Sequence, residues 1–176
     1  MPAALELTPG VLFLLQANAL NGGSYDNVDP GFAAVKRLAP NVKGYYRSIG
    51  EVRPILNNEN AIVAVSTNIL QGEVDQKHPV GIVFPREGCL ASPMVAQVIR
   101  GTRVKALAEQ FIDYYIRPDA QRGWATQYYV SVFNRKAAVP ETVNARISRG
   151  NLFFDAEQVS AHREAWVDRW TREIRG

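Results

Sequence analysis

The chain has 176 residues, 47% of them apolar, and 20 Lys and Arg against 17 Asp and Glu give it a net charge of +3. That is enough to bury a sizeable core, whereas the apolar run Val11 to Leu15 is far shorter than the roughly 20 residues a membrane-spanning helix needs. A single cysteine, Cys89, excludes an internal disulfide, and the distant His78 and His162 supply too few soft ligands for a usual zinc cage, so the fold stands on packing alone.

In chain order, Met1 to Thr8 carries Glu6 and no Lys or Arg, so no secretory signal is read there. Pro9-Gly10 followed by Val11 to Leu20 reads as a short apolar helix that Asn21-Gly22-Gly23 terminates. Asp29-Pro30 is an N-cap with proline at the first helical position, and a second helix is expected to about Leu38, with Phe32, Val35 and Leu38 inward. Tyr45 and Tyr46 follow in a short extended stretch. Ser48 with Glu51 makes a capping-box pattern for a helix ending near Asn57-Asn58, kinked by Pro54.

Ala61 to Val65 and Val80 to Phe84 are continuous apolar runs without polar alternation, which suits strands covered on both faces. The segment between them has the length of a crossover connection, and Val95 to Ile99 is a third candidate strand. From Arg103 the period turns helical, and Val104, Leu107, Ala108, Phe111, Ile112 and Tyr115 form one stripe expected to face a core. Pro118-Asp119 opens the next helix, with Trp124 and Tyr128 four apart. Asp155 caps the last one, on which Val159, His162, Trp166 and Trp170 make a ladder. Strands mixed with helices and then helices alone give an α/β class with a helical tail.

Residues 1–100 hold 8 basic and 8 acidic side chains, and residues 101–176 hold 12 and 9. The excess arginines alternate with Glu157, Glu164, Asp168 and Glu173, an ordinary solvated helix surface, so no nucleic-acid partner is expected. No nucleophile elbow, phosphate loop or zinc-protease motif occurs. His162 sits on an apolar ladder, His78 stands beside Pro79 in a turn, and nothing near Cys89 in sequence would activate its thiol. Neither an enzyme nor a cofactor is expected.

Several segments carry a resemblance. Asn58 to Val65 resembles a helix end, short turn and apolar strand. Phe84-Pro85-Arg86-Glu87-Gly88 resembles a "P-x-E-G" segment that crosses between lobes. Arg100 to Gln121 resembles a helix pair marked by "FIDY" and "PDAQ", Asn134 and Ala137 an "N-x-x-A", and Trp166 with Trp170 a terminal helix. In order and spacing over residues 40–174 these resemble the spermidine/putrescine-binding-like solute-binding proteins of bacterial ABC transporters, which are type 2 periplasmic binding proteins.

The resemblance implies a periplasmic-binding-protein-like lobe, a mixed sheet flanked by helices with a helical C-terminal part. Residues 1–91 and 139–176 would be second-lobe-like and residues 92–138 first-lobe-like. Members are longer, with a signal peptide and a first lobe ahead of the part seen here. It implies capture of a small-molecule solute in an interlobe cleft, delivery to a membrane permease, and a periplasmic location. The absent N-terminal lobe would leave an apolar face open to homo-oligomer formation, or a truncated, non-binding structural remnant.

Polyamine binders use carboxylates and aromatic faces, but the matching positions here are Pro9, Leu12, Ser66, Ser92 and Met94, so a polyamine is disfavoured. The remaining ligand-binding candidates are Thr8, Ser66, Thr67, Asn68 and Ser92, small polar groups at helix starts and strand ends that suit a carboxylate, phosphate or sugar. For Thr8, Ser66 and Ser92 a plain cap or turn role is the preferred reading. Glu87 reads as a solvated loop carboxylate, and Tyr45, Tyr46 and Phe133 as core aromatics rather than cleft lining.

Overall fold

The computed structural model describes residues 1–58, 61–67, 81, 83–145, 147 and 151–174. Helix α1 (Thr8–Leu20) starts ahead of Val11 because Pro9 suits the first helical turn, where its missing amide costs nothing. It ends as expected: Gly22 takes φ 79°, and the Gly22 and Gly23 amides bond back to Ala19 O and Asn18 O. Gly10 is fixed by a close approach, since a Cβ there would overlap the Ala4 carbonyl oxygen.

Helix α2 (Asp29–Leu38) buries Phe32 and Val35 against α1. Leu38, expected inward, is exposed, because it lines an open hollow with Phe13, Ala17 and Leu20 on the outer side of the α1–α2 pair. Asp29 does not use its carboxylate as a cap; that group pairs with Arg169.

The extended stretch at Tyr46 is held by a parallel bridge to Pro2, with Ala3 N donating to Tyr46 O (2.8 Å) and Tyr46 N to Met1 O (3.0 Å). The capping box is only half made: Glu51 Oε2 accepts from the Arg47 amide (2.7 Å), but Ser48 makes no cap bond. A 3-10 turn (Ile49–Glu51) therefore leads into α3 (Val52–Asn58). Pro54 falls in the first turn of α3, where a missing amide breaks no bond, so no kink is required.

The expected strands are the main departure. Residues 61–65 are neither helix nor strand and pair with no strand among the described residues, with Ile62 97% exposed, and Val95 in the third candidate is 75% exposed. Val80 and Ile82 of the second candidate lie outside the described residues, and Val83 is exposed. Among the described residues the strands that form, β1 (Cys89–Ala91) and β2 (Asn151–Phe153), pair in a two-stranded sheet and come from segments without a long apolar run. A ladder needs a neighbour, and among the described residues none flanks the three apolar runs. The described fold is thus helix-rich with a small sheet.

The chain divides into two compact units. Unit 1 takes the described residues of Met1–Thr67, Leu90–Ser92 and Leu152–Gly176; unit 2 takes those of Asn68–Cys89 and Pro93–Asn151. In unit 2, α4 (Lys105–Tyr115) and α5 (Pro118–Tyr128) meet through Phe111, Tyr115, Trp124 and Tyr128, whose successive ring centroids lie 6.1, 5.4 and 5.0 Å apart. Gln121 Nε2 donates to Tyr115 O (3.1 Å) and Asn134 Nδ2 to Ile116 O (2.7 Å), fixing the corner between the helices. A short α6 (Glu141–Asn144) follows. Only the Ala108, Ile112 and Tyr115 side of the α4 stripe is half-buried; Leu107 is 64% and Phe111 60% exposed, so the stripe does not meet a core among the described residues.

Unit 1 closes around α7 (Ala156–Glu173). Asp155 Oδ1 accepts from the amides of Glu157 and Gln158 (2.9 and 3.1 Å), the expected cap. Val159, Trp166 and Trp170 are buried against α1 and α2. Arg169 joins Asp29 and Glu173 while its guanidinium lies 4.2 Å above the Phe32 ring. Lys36 Nζ reaches Glu173 Oε2 at 2.7 Å as an ion pair, off hydrogen-bond angle.

The Lys36 ammonium, and then Arg169, hold the Glu173 carboxyl below the usual range against an opposing desolvation. A depressed carboxyl contributes stability that is present above its unfolded value, about 4.3, and is lost as the pH falls through the folded value. The melting midpoint of Glu173→Gln is therefore expected to lie below that of the parent at pH 7 and to converge on it in acid, as read from melting curves at stepped pH.

Candidate functional site

Of the candidate ligand residues, Thr8, Ser66, Thr67 and Ser92 all belong to unit 1, while Asn68 lies outside the described residues. Thr8 is the first residue of α1 but does not cap it: Leu7 occupies the cap position, no side chain bonds there, and Thr8 is exposed. Ser92 is exposed just after β1.

Ser66 and Thr67 differ from both. They follow residues 61–65, and their hydroxyl oxygens are buried without a hydrogen-bond partner. Buried hydroxyls almost always find one, and each left unmet costs about 1–3 kcal/mol.

The neighbour that positions them is Tyr46. It is buried, and its hydroxyl donates to Val65 O (2.8 Å), tying that segment to the stretch that also pairs with Pro2. Burial pushes the Tyr46 phenol up from its usual value, and the Ser66 hydroxyl, which approaches without meeting hydrogen-bond geometry, opposes the shift. The structure thus brings Ser66 beside Tyr46, buries the Thr67 hydroxyl next to it in sequence, and leaves Thr8 and Ser92 on the surface. Reading Tyr46 as a core aromatic was right about its burial and missed its partner. An aromatic carrying a polar tip was the available signal.

The other candidates have plainer roles. Tyr45 packs against the unit 1 core, and Phe133, expected in a core, is exposed. Glu87 is exposed in the turn where Gly88 N bonds Pro85 O (3.1 Å) and Gly88 takes φ 96°. That turn delivers the chain to β1, where it passes from unit 2 to unit 1. His162 stacks on Trp166 (5.6 Å, 11°) with Nε2 3.6 Å from Asp26 Oδ1, and Cys89 is half-buried in β1. His78 lies outside the described residues. Among the described residues no group of His, Cys, Asp and Glu gathers to hold a metal ion, and no helix is long and apolar enough to cross a membrane.

Two open hollows of about 320 Å³ each lie elsewhere. One is between α4 and α5 beside Tyr114, Trp124 and Tyr128; the other is between the outer faces of α1 and α2. Neither includes a candidate residue.

The fold is shared with a solved protein. A 1.85 Å crystal structure described as an ABC transporter from Clostridium perfringens ATCC 13124 superposes with a TM-score of 0.70 at 21% identity, covering 95% of this chain and 55% of that one. The present chain thus spans about half the length of that structure. Residues 10–154 match the model of the bacterial extracellular solute-binding proteins, and the chain belongs to that family. No curated protein matches the sequence.

Proposed function

We propose that the chain captures a small solute for import by an ABC transporter, in concert with a membrane permease, and that Ser66 and Thr67 beside Tyr46 meet that solute. The family supports the first part. The observation that carries the second is the pair of buried hydroxyls whose hydrogen bonds are unmet. Thr8, Asn68 and Ser92 remain secondary contacts on the same reading. Capture between lobes, with residues 1–91 and 139–176 on one side and 92–138 on the other, follows the resemblance to spermidine/putrescine-type proteins. The change of unit between Ser92 and Pro93 supports one of those boundaries. The same resemblance supports a periplasmic location. A polyamine stays disfavoured, because Pro9, Leu12, Ser66, Ser92 and Met94 offer no carboxylate to a cation.

Thermal unfolding of the purified chain against a solute panel tests this. A ligand at 100 times its dissociation constant stabilises by about 2.7 kcal/mol, a shift of several degrees. The variants Ser66→Ala and Thr67→Val are expected to melt at or slightly above the parent temperature, since each removes an unmet polar group, while the ligand-induced shift shrinks. A clear loss of stability without ligand would assign these hydroxyls to the fold instead.

A second reading, a self-associating domain that binds no solute, is favoured by the open apolar face of α4. It predicts no ligand shift and a midpoint that rises with protein concentration. Leu107→Gln, at an exposed position, is expected to change the unfolding free energy of the isolated chain by less than about 0.5 kcal/mol. If the face associates, the same substitution lowers the mass seen in light scattering. A large loss of stability in this variant would mean that α4 is covered within the chain.

A further inference from the structure

Helices α1 and α2 each turn one side to the unit 1 core and the other to a hollow of about 320 Å³ between their outer faces. On the core side of α1 stand Val11, Leu14, Leu15 and Asn18. Its outer side is apolar as well, through Phe13, Ala17 and Leu20, where a surface helix carries polar groups. A helix that is apolar all round is ordinarily covered all round, yet Leu20 is exposed. Leu38 of α2 is exposed beside the same hollow, and Ala34 is small enough to leave it open. The volume falls at the lower end of the roughly 300–1,000 Å³ that small-ligand sites occupy.

The lining carries one charge. Arg37 is the ionisable side chain among the residues that form it, beside the neutral amides of Gln16 and Asn21. Asn21 Nδ2 donates to Ala17 O (2.8 Å), which turns its Oδ1 toward Arg37, and that oxygen accepts from Arg37 Nη2 at 3.2 Å. The bond takes one of the five N–H donors of the guanidinium, and among the described residues no carboxylate takes the others. A cation in the last turn of a helix suits the helix end by itself. Lys36 already stands in that turn, paired with Glu173, and a helix end gives no reason for apolar walls beside the charge.

The geometry points to a second binding site in unit 1, for a small monocarboxylate with an apolar body, of the kind a medium-chain fatty acid presents. The body lies against Phe13, Leu20 and Leu38, and the carboxylate accepts paired N–H bonds from Arg37, a planar fork that lysine does not offer. A neutral apolar molecule leaves the guanidinium unused, and a cation is repelled by it. A second copy of the chain seated face to face brings another Arg37 and no carboxylate from this lining. The site shares no residue with the proposed solute contacts and does not depend on them.

The test is isothermal titration calorimetry of the 176-residue chain with octanoate, held below its micelle concentration, beside 1-octanol, octylamine and acetate. The expected result is saturable binding of octanoate, binding of octanol about tenfold weaker, and no saturation with octylamine or acetate. Arg37→Met, at an exposed position, is expected to weaken octanoate about tenfold, to the level of octanol, and Arg37→Lys to recover only part of the loss. Ala34→Leu, which fills the hollow, is expected to abolish binding of both, with melting curves showing each variant folded. No saturable binding of octanoate, octanol binding as tightly as octanoate, or octanoate binding insensitive to Arg37→Met or to Ala34→Leu would each overturn the proposal. Light scattering that gives twice the mass of the chain without ligand, and a single mass in Ala34→Leu, would assign the hollow to a second copy and overturn it as well.

Discussion

Trp170→Ala is expected to lower the unfolding free energy by about 3–5 kcal/mol, the range for deleting a large aromatic from a packed interior. Trp170 is 1% exposed, lies edge-on to Phe32 with centroids 6.2 Å apart, and donates from Nε1 to Ala3 O at 3.3 Å. One side chain thus fastens α7 to α2 and to the N-terminal segment, three stretches far apart in sequence. Alanine would leave a void lined by Phe32 and its neighbours that rigid helices cannot collapse to fill. Since a domain of ordinary stability holds about 5–15 kcal/mol in all, the variant is expected to be close to unfolding at room temperature. Urea titration followed by circular dichroism reads this as a fall in the midpoint at unchanged slope. A midpoint within error of the parent would show that α7 does not pack as described.

The second large effect is expected at Asn18, the buried polar residue of the unit 1 core. Its Nδ2 donates to Ser24 O (2.8 Å) and Asn27 O (3.2 Å), and its Oδ1 accepts from the Gly31 amide (2.9 Å). The side chain replaces water for three backbone groups in the turn between α1 and α2. Gly23 and Gly31 press so close that a Cβ at either would overlap it. Asn18→Ala leaves these groups unmet beside a small void and is expected to cost about 2–4 kcal/mol. Asn18→Asp is expected to cost a comparable amount, because it keeps the acceptor but loses both donors and buries a charge. The same urea titration checks both, and a loss under about 0.5 kcal/mol in Asn18→Ala would mean that water substitutes freely.

Helix ends were largely legible because local chemistry sets them. Pro9 and Pro30 opened α1 and α2, Gly22 closed α1, and Asp155 capped α7. The buried ladder of Val159, Trp166 and Trp170 was likewise readable from spacing alone. Caps were less reliable where a side chain had a better offer: Asp29 is drawn to Arg169, and Glu51 bonds the Arg47 amide while Ser48 caps nothing.

Ser66, Thr67, Thr8 and Ser92 were singled out on the same local grounds, yet the Ser66 and Thr67 hydroxyls are buried while Thr8 and Ser92 are exposed. What separates the two pairs is whether other parts of the chain close over the hydroxyl without bonding it, which no local pattern records.

The sequence by itself determined the helices, their caps, the core ladder and the family resemblance, because each depends on residues within a few positions of one another or on their order. Only the tertiary structure decided that, among the described residues, Ala61 to Val65 and Val95 to Ile99 find no strand partner and the α4 stripe meets no core, and that Tyr46 stands beside Ser66. A strand, a buried face and a binding group are each completed by partners distant along the chain, and the apolar character of a segment states only what it would bury if such a partner arrived.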